Sequence, residues 1–322
     1  MMENNLIDIK DLEVIFPIKK GLLQKTVGEI HAVDRISFSI GECETLGLVG
    51  ESGCGKTTTG RAILKLNEPT GGEIFYQGQD LLKLNDKSFR DMRKNLQIIF
   101  QDPYSSLNPR QTVKGLIGEA LTVKCGYSQK DAAVRVGELL TQVGLSPVYA
   151  SRYPHEFSGG QRQRIAIAKA IALQPQFVVC DEAVSALDVS IQSQIINLLM
   201  DLRDTYHMTY LFISHALNVV QHISDRVAVM YLGKIIEMAD TDEIFGHPAH
   251  PYTKALLSAV PLLSGQQKRE RIILKGEVPG AAHIPPGCRF HTRCPMATKE
   301  CMEIEPAFTD IGGGHMAACH HL

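Results

Sequence analysis

Residues Gly50-Glu51-Ser52-Gly53-Cys54-Gly55-Lys56-Thr57 constrain this chain more than any other stretch. They stand between an apolar run, Thr45 to Val49, and a helix-like stretch, Thr57 to Leu66, so the pattern G-x-x-x-x-G-K-[ST] occurs in the strand–loop–helix context it requires. The glycines permit a tight turn and leave backbone N–H groups free to surround phosphate oxygens, while the helix start adds a favourable dipole. Lys56 is expected to reach the β- and γ-phosphates of a nucleotide and Thr57 to ligate Mg²⁺. Gly50, Ser52, Gly53, Cys54, Gly55 and Thr58 complete the expected cradle. The alternative is a glycine-rich turn with a chance lysine, and the flanks on both sides count against it.

From Leu6 to about Ile244, short apolar runs rich in β-branched residues alternate with helix-like stretches, the pattern of an α/β sheet flanked by helices. Phe177 to Cys180 and Tyr210 to Ile213 are continuous apolar runs that end in a polar residue, as central parallel strands do where their C-terminal ends face a ligand. Strand signals stop between about Asp102 and Gly160, and Gln129 to Val143 has helical spacing. A helical insertion over about 102–170 is expected. After Ile244 come Gly246-His247-Pro248-Ala249-His250-Pro251, one helix around Tyr252 to Ala259, and Pro/Gly-rich sequence. The expected organisation is a nucleotide-binding domain over 1–245 and a C-terminal extension over 246–322.

Composition bears on partners. The 33 Lys+Arg and 35 Asp+Glu leave a net charge of −2, so there is no general basic field for nucleic acid. The mixed-charge run Lys268-Arg269-Glu270-Arg271 suits a solvated surface. No window reaches eighteen consecutive apolar residues, and Met1-Met2-Glu3-Asn4-Asn5 lacks the features of a signal peptide. The chain is expected to stay cytosolic unless a partner brings it to a membrane.

Further motifs follow the phosphate loop in order. The strand Phe177-Val178-Val179-Cys180 delivers Asp181 towards Mg²⁺, and Glu182 beside it suits a base for the attacking water. Two acids at a strand end also suit a helix cap, and the upstream phosphate loop favours the catalytic reading. Phe157-Ser158-Gly159-Gly160-Gln161 places a serine and two glycines at a helix start, a second anion-binding N-terminus or simply a capped helix.

These residues together resemble the ABC-type ATPases, whose signature is LSGGQ, here with Phe157 for the usual Leu. The resemblance covers Asp8 to about Ile244 and implies their fold, a mixed sheet flanked by helices with a helical signature subdomain. It implies Gln101 as the Q-loop glutamine touching Mg²⁺ or water, Ser185-Ala186-Leu187-Asp188 as the D-loop and His215 as the switch histidine at the γ-phosphate. Phe16 aligns with the aromatic that stacks on adenine, although strand-edge packing would also explain it. Ala183 replaces a common Pro, and Ala216 a common Asp. Finer stretches, Glu44 to Thr57, Ile98 to Arg110 and His250-Pro251-Tyr252-Thr253, resemble the oligopeptide/dipeptide importer ATPases, and Phe16 to Gly21 with Thr58 to Arg61 resemble their F-type subunit.

That resemblance implies an ATP-hydrolysing subunit energising peptide import. Its implied partners are a D-type ATPase paralogue in a head-to-tail heterodimer, two transmembrane permease subunits and an external substrate-binding protein, at the cytoplasmic face of the membrane. Nickel chelates and oligosaccharides remain alternative cargoes. A soluble nucleic-acid-directed ABC ATPase and a metal or redox sensor are the rivals from other classes.

Of eight cysteines, Cys288, Cys294, Cys301 and Cys319 crowd the end of the chain, with five, six and seventeen residues between them. Structural zinc sites usually contain a tight C-x₂₋₄-C, which is absent here. Loose spacing in a Pro/Gly-rich tail suits an Fe–S cluster better, and the resemblance points to [4Fe–4S]. Zinc and unligated thiols stand as alternatives.

Overall fold

The computed structural model describes residues 5–21, 25–259 and 271–322. Residues 1–4 and Lys268-Arg269-Glu270 of the mixed-charge run lie outside them. In chain order the strands are β1 (Asn5–Lys20), β2 (Lys25–Gly41), β3 (Thr45–Val49), β4 (Gly71–Tyr76), β5 (Gln79–Asp80), β6 (Leu96–Ile99), β7 (Phe177–Asp181), β8 (Thr209–Ile213), β9 (Arg226–Tyr231), β10 (Lys234–Asp240), β11 (Thr309–Asp310) and β12 (Met316–Ala317). The helices are α1 (Lys56–Ile63), α2 (Asp86–Met92), α3 (Pro103–Ser106), α4 (Val113–Cys125), α5 (Gln129–Gln142), α6 (Gly159–Ile171), α7 (Val189–Tyr206), α8 (Leu217–Ile223), α9 (Thr241–Gly246), α10 (Pro251–Ser258) and α11 (Lys299–Glu303). Among the described residues no helix is long and apolar enough to cross a membrane.

The chain divides into two compact units, one built mainly from Lys83–Ile213 with Gly41–Glu44, the other from Ile7–Ile40, Thr45–Leu82 and Ser214–Leu322. In the first, β6, β7 and β8 lie side by side and parallel. All five residues of β7 and of β8 are buried, which explains their unbroken apolar text. Each buried Val, Leu, Ile or Phe contributes about 1.5–3 kcal/mol, so a charge is tolerated only at the strand end, where Asp181 stands. Between β6 and β7 the described elements are helical, from α3 to α6. Helix α5 begins at a Ser128 cap that accepts from the Asp131 N–H, and it buries Ala132, Val136, Leu139 and Leu140 at helical spacing.

In the second unit β3 pairs parallel with β9, β9 antiparallel with β10, and β10 with the short β12 from the end of the chain. Gly47 has no room for a side chain, since a Cβ would lie 2.6 Å from Val220 Cγ1 and Ser224 Oγ, and this lets α8 sit directly on β3. A separate sheet in the order β2-β1-β4-β5 carries the long N-terminal strands. Asp34, on the edge strand β2, receives Arg289 from the C-terminal residues, and Arg289 also donates to the Leu232 carbonyl. Burial works to raise the Asp34 carboxyl, but Arg289, Lys234 and Arg35 hold it below its ordinary value.

A fully buried carboxylate, Glu237 of β10, gathers the chain after β10. It accepts the backbone N–H groups of Ala249 at 2.6 Å and of His250 at 2.9 Å, and it meets His315 Nε2 at 2.8 Å. His250 then caps α10, its Nδ1 accepting from the Tyr252 N–H at 3.0 Å. Burial, and secondarily Lys254, lowers the His250 pKa to about 3, so the ring is neutral as its accepting role requires. A histidine whose folded pKa lies below its unfolded value of about 6.5 contributes stability that is complete above pH 6.5 and lost as pH falls towards the folded value. Between pH 6.5 and 5 the loss reaches about 2 kcal/mol. His250→Asn keeps an acceptor at the cap without the titration, so denaturant unfolding at pH 7 and pH 5 should show a loss smaller by about that amount. Equal losses in the two proteins would contradict a neutral, buried His250.

Candidate nucleotide site

The phosphate loop joins β3 to α1 within the second unit, and its glycines are dictated by close approach. At Gly50 a Cβ would fall 2.2 Å from the Met230 carbonyl oxygen, and at Gly55, with φ of 110°, 2.1 Å from that of Ala32. No side chain fits either place. Helix α1 opens with Gly55 at its N-cap, which offers no side-chain cap to the first turn. Lys56 is buried, and its ammonium donates to the carbonyls of Gly50 at 2.8 Å and Glu51 at 2.9 Å, arching over the loop. Cys54 lies beneath it, 3.7 Å from Nζ, and burial raises its thiol pKa despite the lysine. Ser52 and Gly53 are exposed, with Thr57 and Thr58 half-buried at the helix start.

His215 follows β8. The turn that carries it is fixed by Ser214, whose N–H donates to the Leu48 carbonyl at 3.3 Å and whose hydroxyl accepts from the Ala216 N–H at 3.0 Å. The histidine is therefore anchored to the strand that leads into the phosphate loop. Ala216, a departure from the common Asp, takes part through its backbone alone. Phe16, on β1, is 40% exposed.

The other predicted residues lie in the first unit and form their own network. Asp181 is buried at the end of β7. Glu182 follows with φ of 49°, a left-handed conformation that costs a non-glycine residue roughly 1–2 kcal/mol. Its N–H donates to the Ile213 carbonyl at 3.0 Å, and its carboxylate accepts from Gln101 Nε2 at 2.8 Å. Gln101 also stands 3.4 Å from Ser185 Oγ, which donates to the Glu182 carbonyl at 3.0 Å. Gln101, Glu182 and Ser185 thus form one hydrogen-bonded set in which the strained backbone aims the carboxylate at the glutamine.

Ser158 caps α6 in a reciprocal box: its hydroxyl accepts from the Gln161 N–H, and the Gln161 side chain accepts from the Ser158 N–H at 3.1 Å. Gly160 has a packing reason as well, because a Cβ there would lie 2.7 Å from Ile191 on α7. Phe157, in place of the usual Leu, is buried against Tyr149, edge to face at 5.6 Å.

The four late cysteines belong to the second unit. Cys301 is buried, and the others are half-buried. Burial pushes the Cys288 thiol up to about 11 and raises Cys294 and Cys319, and Cys301 adds to each of the three shifts. Backbone N–H groups of Phe290, Met296 and His321, each two residues on, work in the opposite direction on Cys288, Cys294 and Cys319. Among the described residues, the set of ligand atoms lying within 4.8 Å of one another is Glu13, His31 and Asp34, and the last of these already faces three cations.

Sequence reasoning missed Ser214, the strain at Glu182, and the ties between the loop and the end of the chain. His250-Pro251-Tyr252 carried a signal for one of these, a cap followed by proline and an aromatic. No local signal existed for the others.

Comparison with known proteins identifies the family. Residues 33–185 match the ABC transporter family, and residues 236–301 match the family described as oligopeptide/dipeptide transporter, C-terminal region. The chain is 52% identical over 321 residues to the oligopeptide transport ATP-binding protein AppF of Bacillus subtilis, covering 99% of this chain and 98% of that one. It is 46% identical to the dipeptide transport ATP-binding protein DppF of Escherichia coli, covering 99% and 95%. Among solved structures it resembles the bacterial ABC transporter cassette MJ0796, with a TM-score of 0.65 at 26% identity over 73% of this chain and 98% of that one. None of these likenesses bears on an iron–sulfur cluster. With relatives this similar matched from end to end, the chain belongs to the ATP-binding proteins of the oligopeptide/dipeptide ABC transporter family.

Proposed function

We propose that this chain binds and hydrolyses MgATP to drive the import of short peptides through an ABC transporter. The observation that carries the hydrolytic part is the 2.8 Å hydrogen bond between Gln101 and Glu182, which holds a carboxylate beside a side-chain amide at the end of β7. The peptide cargo rests on the match of residues 236–301 and on the relatives' names. The phosphate loop, with Gly50, Ser52, Gly53, Cys54, Gly55, Lys56, Thr57 and Thr58, holds the triphosphate, and Phe16 stacks on the base. Thr57, Asp181 and Gln101 would hold Mg²⁺, which would neutralise charge on the phosphates. Glu182 takes a proton from water as its oxygen attacks the γ-phosphorus. The bond to the bridging oxygen breaks, and ADP leaves with the electron pair. His215 contacts the γ-phosphate.

Ser158, Gly159, Gly160 and Gln161 serve a second cassette, a D-type paralogue, whose nucleotide they close over in a head-to-tail dimer. Two transmembrane permease subunits and an external binding protein complete the transporter, and this chain sits at the cytoplasmic face of the membrane through the permease subunits. The cassette occupies residues 1–245, with its helical part at about 102–170, and the extension starts near residue 246.

The extension holds a [4Fe–4S] cluster on Cys288, Cys294, Cys301 and Cys319. Support comes from four cysteines at loose spacing in a Pro/Gly-rich tail, where backbone N–H groups partly offset the burial that raises the thiols of Cys288, Cys294 and Cys319. Among the described residues the four sulfurs do not form a group of three ligand atoms within 4.8 Å of one another, so the cluster assignment rests on cysteine number and spacing and leaves zinc as its rival. The cluster's part is to staple a segment poor in apolar residues.

Glu182→Gln in the assembled transporter should lower ATP turnover by about 10²–10⁴-fold while MgATP affinity stays within about threefold. Turnover near the wild-type rate would remove Glu182 from its role. Protein purified without oxygen should be brown and contain iron and acid-labile sulfide, both lost when the four cysteines are changed to serine. Colourless protein with stoichiometric zinc would replace the cluster by zinc and leave the ATPase reading intact.

A further inference from the structure

The end of the chain reaches the phosphate loop at Glu51. Arg293 donates to both carboxylate oxygens of Glu51, at 2.7 and 3.1 Å, across 242 residues of sequence. The arginine side chain is 8% exposed and the glutamate 28%, so the pair is largely shielded from water. Such two-pronged geometry is the strong form of an arginine–carboxylate pair. The Glu51 N–H donates to Tyr252 Oη at 2.9 Å, and the Glu51 carbonyl accepts from Lys56. Side chain, amide and carbonyl of this one residue are all engaged. Tyr252 is itself fixed, fully buried with its ring 4.7 Å from that of Tyr231 and 5.3 Å from that of Phe290, both edge to face.

Glu51 is an awkward residue for its place. A carboxylate one step into a loop that surrounds phosphates repels the triphosphate it serves, and low exposure weakens the screening that water would give. Arg293 balances that charge and holds both carboxylate oxygens. We propose that Arg293 is a positioning residue for nucleotide binding: it neutralises and holds Glu51, so that the C-terminal extension sets the affinity of the phosphate loop for ATP. This rests on the reading of the loop as an ATP site.

A merely structural ion pair would make the two single variants behave alike, whereas this role gives them opposite signs. MgATP affinity is measured on the full-length chain by titration calorimetry, with melting in the absence of nucleotide as the check on folding. Arg293→Met, leaving Glu51 uncompensated, should raise the Kd about tenfold. Glu51→Gln should leave the Kd unchanged or lower it, and Glu51→Gln with Arg293→Met should recover most of the loss. Arg293→Lys, which keeps the charge without the fork, should lie within about threefold of wild type. A Kd unchanged in Arg293→Met, or raised tenfold in Glu51→Gln, would overturn the proposal. If Arg293→Met does not fold, Glu51→Gln and the double variant decide it alone. Lys56→Ala in the same assay separates the two readings: unimpaired MgATP binding there would reject the ATP site itself.

Discussion

The close passage of residues 50–55 between two carbonyl groups is the constraint on which the rest of the second unit depends. Met230 O lies where a side chain at residue 50 would stand, and Ala32 O where one at residue 55 would. The loop is therefore shaped by β9 on one side and β2 on the other, and it cannot adjust independently of them. The Cys54 carbonyl adds a third fixed point by accepting from the Gly233 N–H at 2.9 Å. A backbone held this way is already ordered, and preorganisation of this kind would save a loop of eight residues the entropy of ordering on a ligand.

The C-terminal residues extend the same frame. Glu237, buried in β10, ties down the turn before α10 and also His315 near the end of the chain. Tyr252 and Arg293, delivered by those segments, both meet Glu51. Arg289, four residues before Arg293, pairs with Asp34 on the neighbouring sheet. The C-terminal residues are thus tied into the unit that holds the loop by charged pairs, each needing its partner, because an unpaired buried charge costs several kcal/mol.

Much of this was legible in the sequence, for identifiable reasons. The phosphate loop is eight contiguous residues whose glycines answer local sterics, and β7 and β8 are fully buried strands that read as unbroken apolar runs. Helix α5 was legible from its spacing and falls at Gln129–Gln142. The left-handed backbone at Glu182 was hidden, since nothing in a glutamate's identity announces a positive φ. The Glu51–Arg293 pair was hidden because 242 residues separate its members. Gly160 shows a different limit: read as a phosphate contact, it also has to be glycine so that α6 can approach Ile191.

Hydrogen exchange on the full-length chain, with and without MgATP, tests the central claim most directly. Nucleotide should slow exchange of the backbone N–H groups from Ser52 to Thr57, and the slowing should extend to the segment around Arg293 that grips Glu51. Unchanged exchange in the loop, with protection appearing elsewhere in the chain, would contradict the account.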